Sequence, residues 1–195
     1  MDPDSGNKLS GAMPAMIAQA VADELKPILA RKHPSREIVV ERSYGEWDLD
    51  ISHKANRFEV GGPEGGATRV DVVPHTTSSL IQLATKGRLG HEFAVDVAVR
   101  KNLAYEADRD AYDGRLDIEE IDALVEVTQD CWFALCGGRP SATPEFVWVS
   151  TAIEVCPWRE HLRLMRQFTS IVRTVYRMDV LLDDDDRFSI PNGTD

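Results

Sequence analysis

The stretch His91–Arg100, reading HEFAVDVAVR, constrains the fold more than any other part of the chain. Phe93, Val95, Val97 and Val99 share one side, while Glu92, Asp96 and Arg100 share the other with Ala94 and Ala98. Strict alternation with a period of two marks a strand with one buried face. An apolar sheet face needs a second layer, and two helical patterns can supply it. Ile118, Ile121, Leu124, Val125, Thr128, Trp132 and Leu135 recur at helical spacing. Asp117 stands as an N-cap with Glu120 three positions on, which is capping-box spacing. Gly137-Gly138 and Pro140 stop this helix. Trp132 is expected to be buried against Phe93, Val95 and Val97.

An earlier helix is expected from Pro14, a residue suited to a first turn. Ile17, Val21, Leu25 and Ile28 form its apolar face, Pro27 should kink it or split off its last turn, and His33-Pro34 ends it. The remaining strands are read at Glu37–Arg42, at Thr68–Val73 with Pro74 as its stop, at Phe146–Val155, and at Gln167–Met178. Residues 75–89 read as a long connection, and Trp158–Arg166 as a helical turn or loop. The order is α–β–β–β–α–β–β. The expectation is a single α+β domain: a mostly antiparallel sheet of about five strands with two helices packed on one face.

Length agrees with one domain. A chain of 195 residues, 43% hydrophobic, fills one core but not two. The domain is placed at residues 14–178, with a long Gly/Pro-punctuated loop at 43–66. Residues 1–13 are expected to be a mobile arm and residues 179–195 an acidic tail. The opening MDPDSGNKLSGAMP has acids and no apolar run, so it does not read as a signal peptide. No window approaches the apolar length of a membrane-spanning helix, so no membrane partner is expected. Cys131, Cys136 and Cys156 form an odd, sparse set without a C-x-x-C pair, which fits reduced thiols.

No residue pattern selects a catalytic, cofactor or metal site. His33, His53, His75, His91 and His161 include no pair at helical i, i+4 spacing. Cys131 and Cys136 lie five apart on a helix and so point different ways. Asp183 to Asp186 lack the alternation and the glycine of a calcium loop. Gly61-Gly62 and Gly65-Gly66 precede a strand, whereas a phosphate cradle precedes a helix. Ser78-Ser79 lie outside a G-x-S-x-G context. The expectation is no enzyme, no cofactor and no metal.

Charge layout is more telling. Residues 101–126 hold nine acids against three bases, whereas residues 157–177 hold five arginines against Glu160. Opposed patches on one domain suit head-to-tail contact between copies. Glu119 and Asp122 are the candidate acidic partners, and Arg163 and Arg173 the candidate basic ones. The formal net charge of −11 argues against a protein that coats nucleic acid.

Several segments taken in order resemble the small neck and tail proteins of long-tailed bacteriophages, the tail terminator or tail completion family. They are Val21-Ala22-Asp23-Glu24-Leu25 in the first helix, the strand ending Val72-Val73-Pro74, and Phe93–Lys101 reading FAVDVAVRK. The acidic helix Ile118–Leu135 and the closing Arg166–Arg177 stretch, RQFTSIVRTVYR, follow. The likeness spans about residues 15–178; the 43–66 insert and the tail depart from it. It implies a structural virion subunit that assembles with itself as a hexameric ring. Such a ring terminates the tail tube and joins it to the head–tail connector or stopper protein. Its other implied partners are the tail tube protein and the genomic DNA, which passes through the lumen without specific binding. It implies location in the tail or neck of the virion, reached through the host cytoplasm during assembly. Net negative walls suit such a conduit, because they do not hold passing phosphate. Other readings stay open: a head-side connector, stopper or minor tail subunit of the same fold, a soluble enzyme using scattered carboxylates, or a monomeric binding module.

Overall fold

The computed structural model describes residues 13–43, 67–82, 88–103, 118–138, 146–165, 167–182 and 188–189. Helix α1 spans Met13–Lys32; strands β1, β2 and β3 span Ile38–Arg42, Thr68–Gln82 and Arg88–Asn102. Helix α2 spans Ile118–Leu135, followed by β4 at Phe146–Val155, a single π-type turn at His161–Met165, and β5 at Gln167–Leu182. A two-residue strand β6, Phe188–Ser189, pairs with the end of β5.

The main sheet runs β1-β2-β3-β5-β4. β1 and β2 are parallel; the β2–β3, β3–β5 and β5–β4 pairs are antiparallel. The domain is therefore α+β, with a mixed sheet and both main helices over one face. One apolar cluster joins the layers. It takes Ile17, Val21, Leu25 and Leu29 from α1, Leu124, Val127 and Cys131 from α2, and alternate residues such as Val70, Val97 and Val172 from the strands.

Local chemistry accounts for the helix boundaries. α1 ends where His33 N–H still reaches the Leu29 carbonyl and Pro34 cannot continue the ladder. Pro27 lies inside α1 without dividing it. Asp23 and Pro27 are both exposed, so the carbonyl deprived of its N–H partner faces water. The buried face uses Leu29, with Ile28 only half-buried. α2 closes on Gly137, whose φ of 73° is the left-handed geometry that favours glycine after a helix.

Three expectations need correction. β2 does not stop at Pro74, and residues 75–82 are strand rather than connection. Pro74 stays in register opposite Val95, and an irregularity between Pro74 and Ser78 absorbs the missing N–H before pairing resumes to Gln82. β5 likewise runs four residues past Met178, because the lengthened β3 offers Arg88, Leu89 and Gly90 as partners for Leu181, Val180 and Asp179. The stripe on α2 is rotated from the expected one. Leu124, Val127, Thr128, Cys131 and Leu135 are buried, Trp132 is half-buried, and Ile118 is 71% exposed.

Except for Met13 and Ser43, the expected arm 1–13 and loop 43–66 lie outside the described residues. So does most of the expected tail 179–195. No helix among the described residues is long and apolar enough to cross a membrane.

Candidate functional site

Polar chemistry gathers in two places, over the helix face and on the face that the helices leave open. On the helix side, the turn after α1 carries Arg36 towards the first turn of α2. Its guanidinium forks onto Glu120, with Nη1 to Oε1 at 2.6 Å and Nη2 to Oε2 at 2.9 Å. Lys101, at the end of β3, reaches the same carboxylate at 2.8 Å. The Arg36 hydrogen bonds, helped by Lys101 and opposed by partial burial, hold the Glu120 carboxyl down at about 2. These groups line a pocket of about 280 Å³ with Ser35 and Glu37. Both cations in it already meet Glu120, so the arrangement fastens α2 to the sheet and to the α1–β1 turn.

A second fastening lies further along α2. Asp130 accepts from Lys32 Nζ at 2.5 Å and contacts His33 Nε2 at 3.0 Å. Both α1–α2 bridges depend on the turn at residues 32–36, which explains why polar residues follow α1 so closely.

The open face carries alternate residues of the same strands. Arg100 Nε donates to Asp71 Oδ2 at 2.8 Å, and Arg100 Nη2 meets the same oxygen. The two side chains are only 7% and 1% exposed. Arg69 lies 3.5 Å from the other Asp71 oxygen and also pairs with Glu41. In the middle of the sheet Arg173 forks onto Asp96, with Nε at 2.8 Å and Nη2 at 3.0 Å. At one end His161 Nδ1 lies 2.9 Å from Thr169 Oγ1, and its ring stacks on Trp158 at 4.0 Å.

The four contact candidates separate by position. Glu119 and Asp122 are exposed on the first turns of α2, above one sheet face. Arg163 is exposed on the turn between β4 and β5. Arg173 lies on the opposite sheet face and already forks onto Asp96 of its own chain, although its side chain is 38% exposed. It therefore reaches a neighbour only as part of an ion pair. Much of the acidic stretch, residues 104–117, lies outside the described residues, as does Arg166.

The sequence reading missed Arg36, Lys101 and the Asp71–Arg100 and Asp96–Arg173 pairs. A signal existed. Asp71, Asp96 and Arg173 each stand between β-branched neighbours, and such charges seek partners on adjacent strands. What the sequence does not show is the register that sets Asp96 directly opposite Arg173.

Cys131 is buried, and desolvation pushes its thiol up to about 12. Burial also raises the Cys156 thiol, while Cys136 is exposed. His33 and His161 are engaged as described, and burial lowers the pKa of His91 beside Phe93. His53 and the side chain of His75 lie outside the described residues. Among the described residues no three His, Cys, Asp or Glu side chains gather as a metal site.

A scan against protein-family models finds no match to the chain. A search of curated proteins finds no relative.

Proposed function

We propose that this chain is a structural subunit of a long-tailed bacteriophage neck, forming a ring that terminates the tail tube and joins it to the head connector. The observation that carries the reading is the ordered set of segments that resemble those of tail terminator proteins. They fall on α1, β2, β3, α2 and β5, and their apolar residues Val21, Val72, Val95, Leu124 and Val172 belong to one core. The segments thus lie in a single packed unit.

Two physical features support the reading. The net charge of −11 suits a conduit that DNA crosses without sticking. Several charged side chains are bound to one another in pairs that shape the subunit, among them Arg36 and Lys101 on Glu120, Arg100 on Asp71 and Arg173 on Asp96. In this role the protein needs no cofactor. Its partners are other copies of itself, the tail tube protein, the connector and passing DNA.

Native mass spectrometry and negative-stain imaging of the full-length protein test the proposal. The expected result is a closed ring, of six copies, with an open centre and no retardation of duplex DNA in a gel. A protein that remains monomeric at its highest soluble concentration overturns the reading.

A further inference from the structure

Strand β4 carries a hazard that the fold has to manage. Its first eight residues, Phe146–Ile153 reading FVWVSTAI, have no charge, no proline and no glycine. Strand-on-strand aggregates grow from runs of this composition. Among the described strands β4 pairs only with β5, so it ends the sheet. Val147, Val149 and Ile153 along it are 37–38% exposed. An edge of this kind is a template for a further strand unless something blunts it.

The register shows which backbone groups of β4 face outward. Just past β4, the Trp158 N–H donates to the Thr169 carbonyl at 2.8 Å, so Thr169 turns its backbone groups towards the β4 side. The direction alternates along β5, which pairs with β3 without interruption. Ile171, Arg173 and Val175 therefore also face β4, whereas Val172 and Thr174 face β3. Thr151 stands opposite Thr174, and Ile153 opposite Val172. Both form non-hydrogen-bonded pairs with β5, and their own N–H and C=O groups point away from the sheet. The Thr151 and Thr174 hydroxyls, 3.0 Å apart, have the close side-chain approach of such a pair.

We infer that Trp132 of α2 guards this edge, holding the outward carbonyl of Thr151 so that no further strand can take it. The indole Nε1 donates to that carbonyl at 3.2 Å. The Thr151 hydroxyl secures the same residue. It donates to the Leu135 carbonyl at the end of α2 at 3.2 Å and accepts from Trp148 Nε1 at 2.8 Å. The last turn of α2 is thereby strapped to the edge strand. An incoming strand has to displace the indole before its own N–H can bond to Thr151. The guard does not depend on the ring reading, because it acts on a lone subunit and on an assembled one alike.

Irregularities protect the rest of β4. Val149 has no counterpart on β5 between the Trp148–Tyr176 and Ser150–Val175 pairs, and Glu154 has none between Ile153–Val172 and Val155–Ile171. Such bulges bend and twist an edge strand away from a flat partner. They leave Ser150–Ile153 as the regular stretch between them, in which Thr151 and Ile153 face outward. Glu154 puts a charge beside Ile153. Thr151 has no charged neighbour in sequence, and it is the residue that the indole holds.

Trp132→Phe in the full chain tests this, because it keeps an aromatic ring and removes the Nε1–H donor. Aggregation is followed by thioflavin fluorescence at neutral pH, with circular dichroism and urea unfolding on the same samples. The expected result is a retained fold and aggregation about fivefold faster than wild type, the change in open-edge population that losing one hydrogen bond brings. Val149→Lys places a charge on the edge at a bulge, where it breaks no pairing with β5. In the Trp132→Phe background it should restore the wild-type rate. Ile17→Val, a buried change in α1 of similar cost to stability, leaves β4 untouched and should stay near the wild-type rate. A Trp132→Phe protein that aggregates no faster than wild type overturns the inference. Faster aggregation that Val149→Lys does not reverse, or that Ile17→Val matches, shows general unfolding rather than an opened edge and overturns it too.

Discussion

Replacing Arg100 with Met asks what the charged cluster on the open face contributes. The guanidinium holds Asp71, whose side chain is 1% exposed, through Nε at 2.8 Å and through Nη2. Arg100→Met keeps the apolar stem but leaves the carboxylate buried without its principal partner. Breaking a buried pair from one side costs about 3–5 kcal/mol. Arg69 remains 3.5 Å from Asp71 Oδ1 and softens the loss, so the expected cost is at the lower end, about 3 kcal/mol. For a domain of this size that is roughly 6–12 °C in melting temperature. Asp71→Leu combined with Arg100→Met removes both charges and should cost less than half as much, because no lone ion stays buried. Urea unfolding at neutral pH, followed by circular dichroism for the two singles and the double, gives the coupling energy. It should be at least about 2 kcal/mol. Additive singles, or an Arg100→Met loss below about 1 kcal/mol, refute the claim that this carboxylate is desolvated.

Three further outcomes follow from the helix side. The Glu120 carboxyl titrates lower in the folded chain than in the unfolded one, so its stabilisation is present above about pH 4.5 and is lost as pH falls towards about 2. Glu120→Gln should therefore cost about 1–2 kcal/mol at pH 7, after discounting for partial exposure, and its stability curve should meet that of the wild type near pH 2. Cys136 should react with a thiol reagent at pH 8 while Cys131, with its thiol at about 12 and fully buried, stays unmodified until the chain unfolds. Equal rates for the two would contradict the packing of α2. Leu124→Ala should cost about 2–5 kcal/mol, and Ile118→Ala, at a site 71% exposed, no more than about 0.5 kcal/mol. Chemical denaturation ranks the two, and the reverse order refutes the observed rotation of α2.

Local pattern was enough for most elements and failed where neighbours decided. Ile118–Leu135 and Phe146–Val155 were readable to the residue, because a helix with a glycine stop and a β-branched run carry their own signals. Pro74 misled because a stop inferred from one strand ignores what the partner offers. Val95 and the residues beyond it hold β2 in the sheet, and a bulge accommodates the proline. Trp132 misled in a related way. Its size suggests the centre of the core, but small Cys131 and Thr128 take that position, and Thr128 meets Ser170 of β5 at 2.6 Å. The indole sits to the side, where Nε1 donates to the Thr151 carbonyl of β4 at 3.2 Å. A half-wet tryptophan with a polar handle is stable in that place.

Charge was read along the chain, whereas electrostatics acts across faces. Counting residues 157–177 as one basic stretch joined Arg163 to Arg173, yet the strand register gives Arg173 a partner in Asp96 and leaves Arg163 exposed on a turn. Counting residues 101–126 as one acidic stretch likewise included Glu120, whose charge is spent on Arg36 and Lys101. Once these pairs are set aside, fewer side chains are left to orient a neighbour. Each exposed pair contributes only about 0–1 kcal/mol. In any contact between copies, charges of this kind would set orientation, and apolar burial would supply most of the stability. If copies assemble as proposed, salt should change the rate of assembly more than its equilibrium, because screening acts on encounter before it acts on a buried contact; an equilibrium that falls steeply with salt would show that exposed charge, not apolar burial, holds the ring.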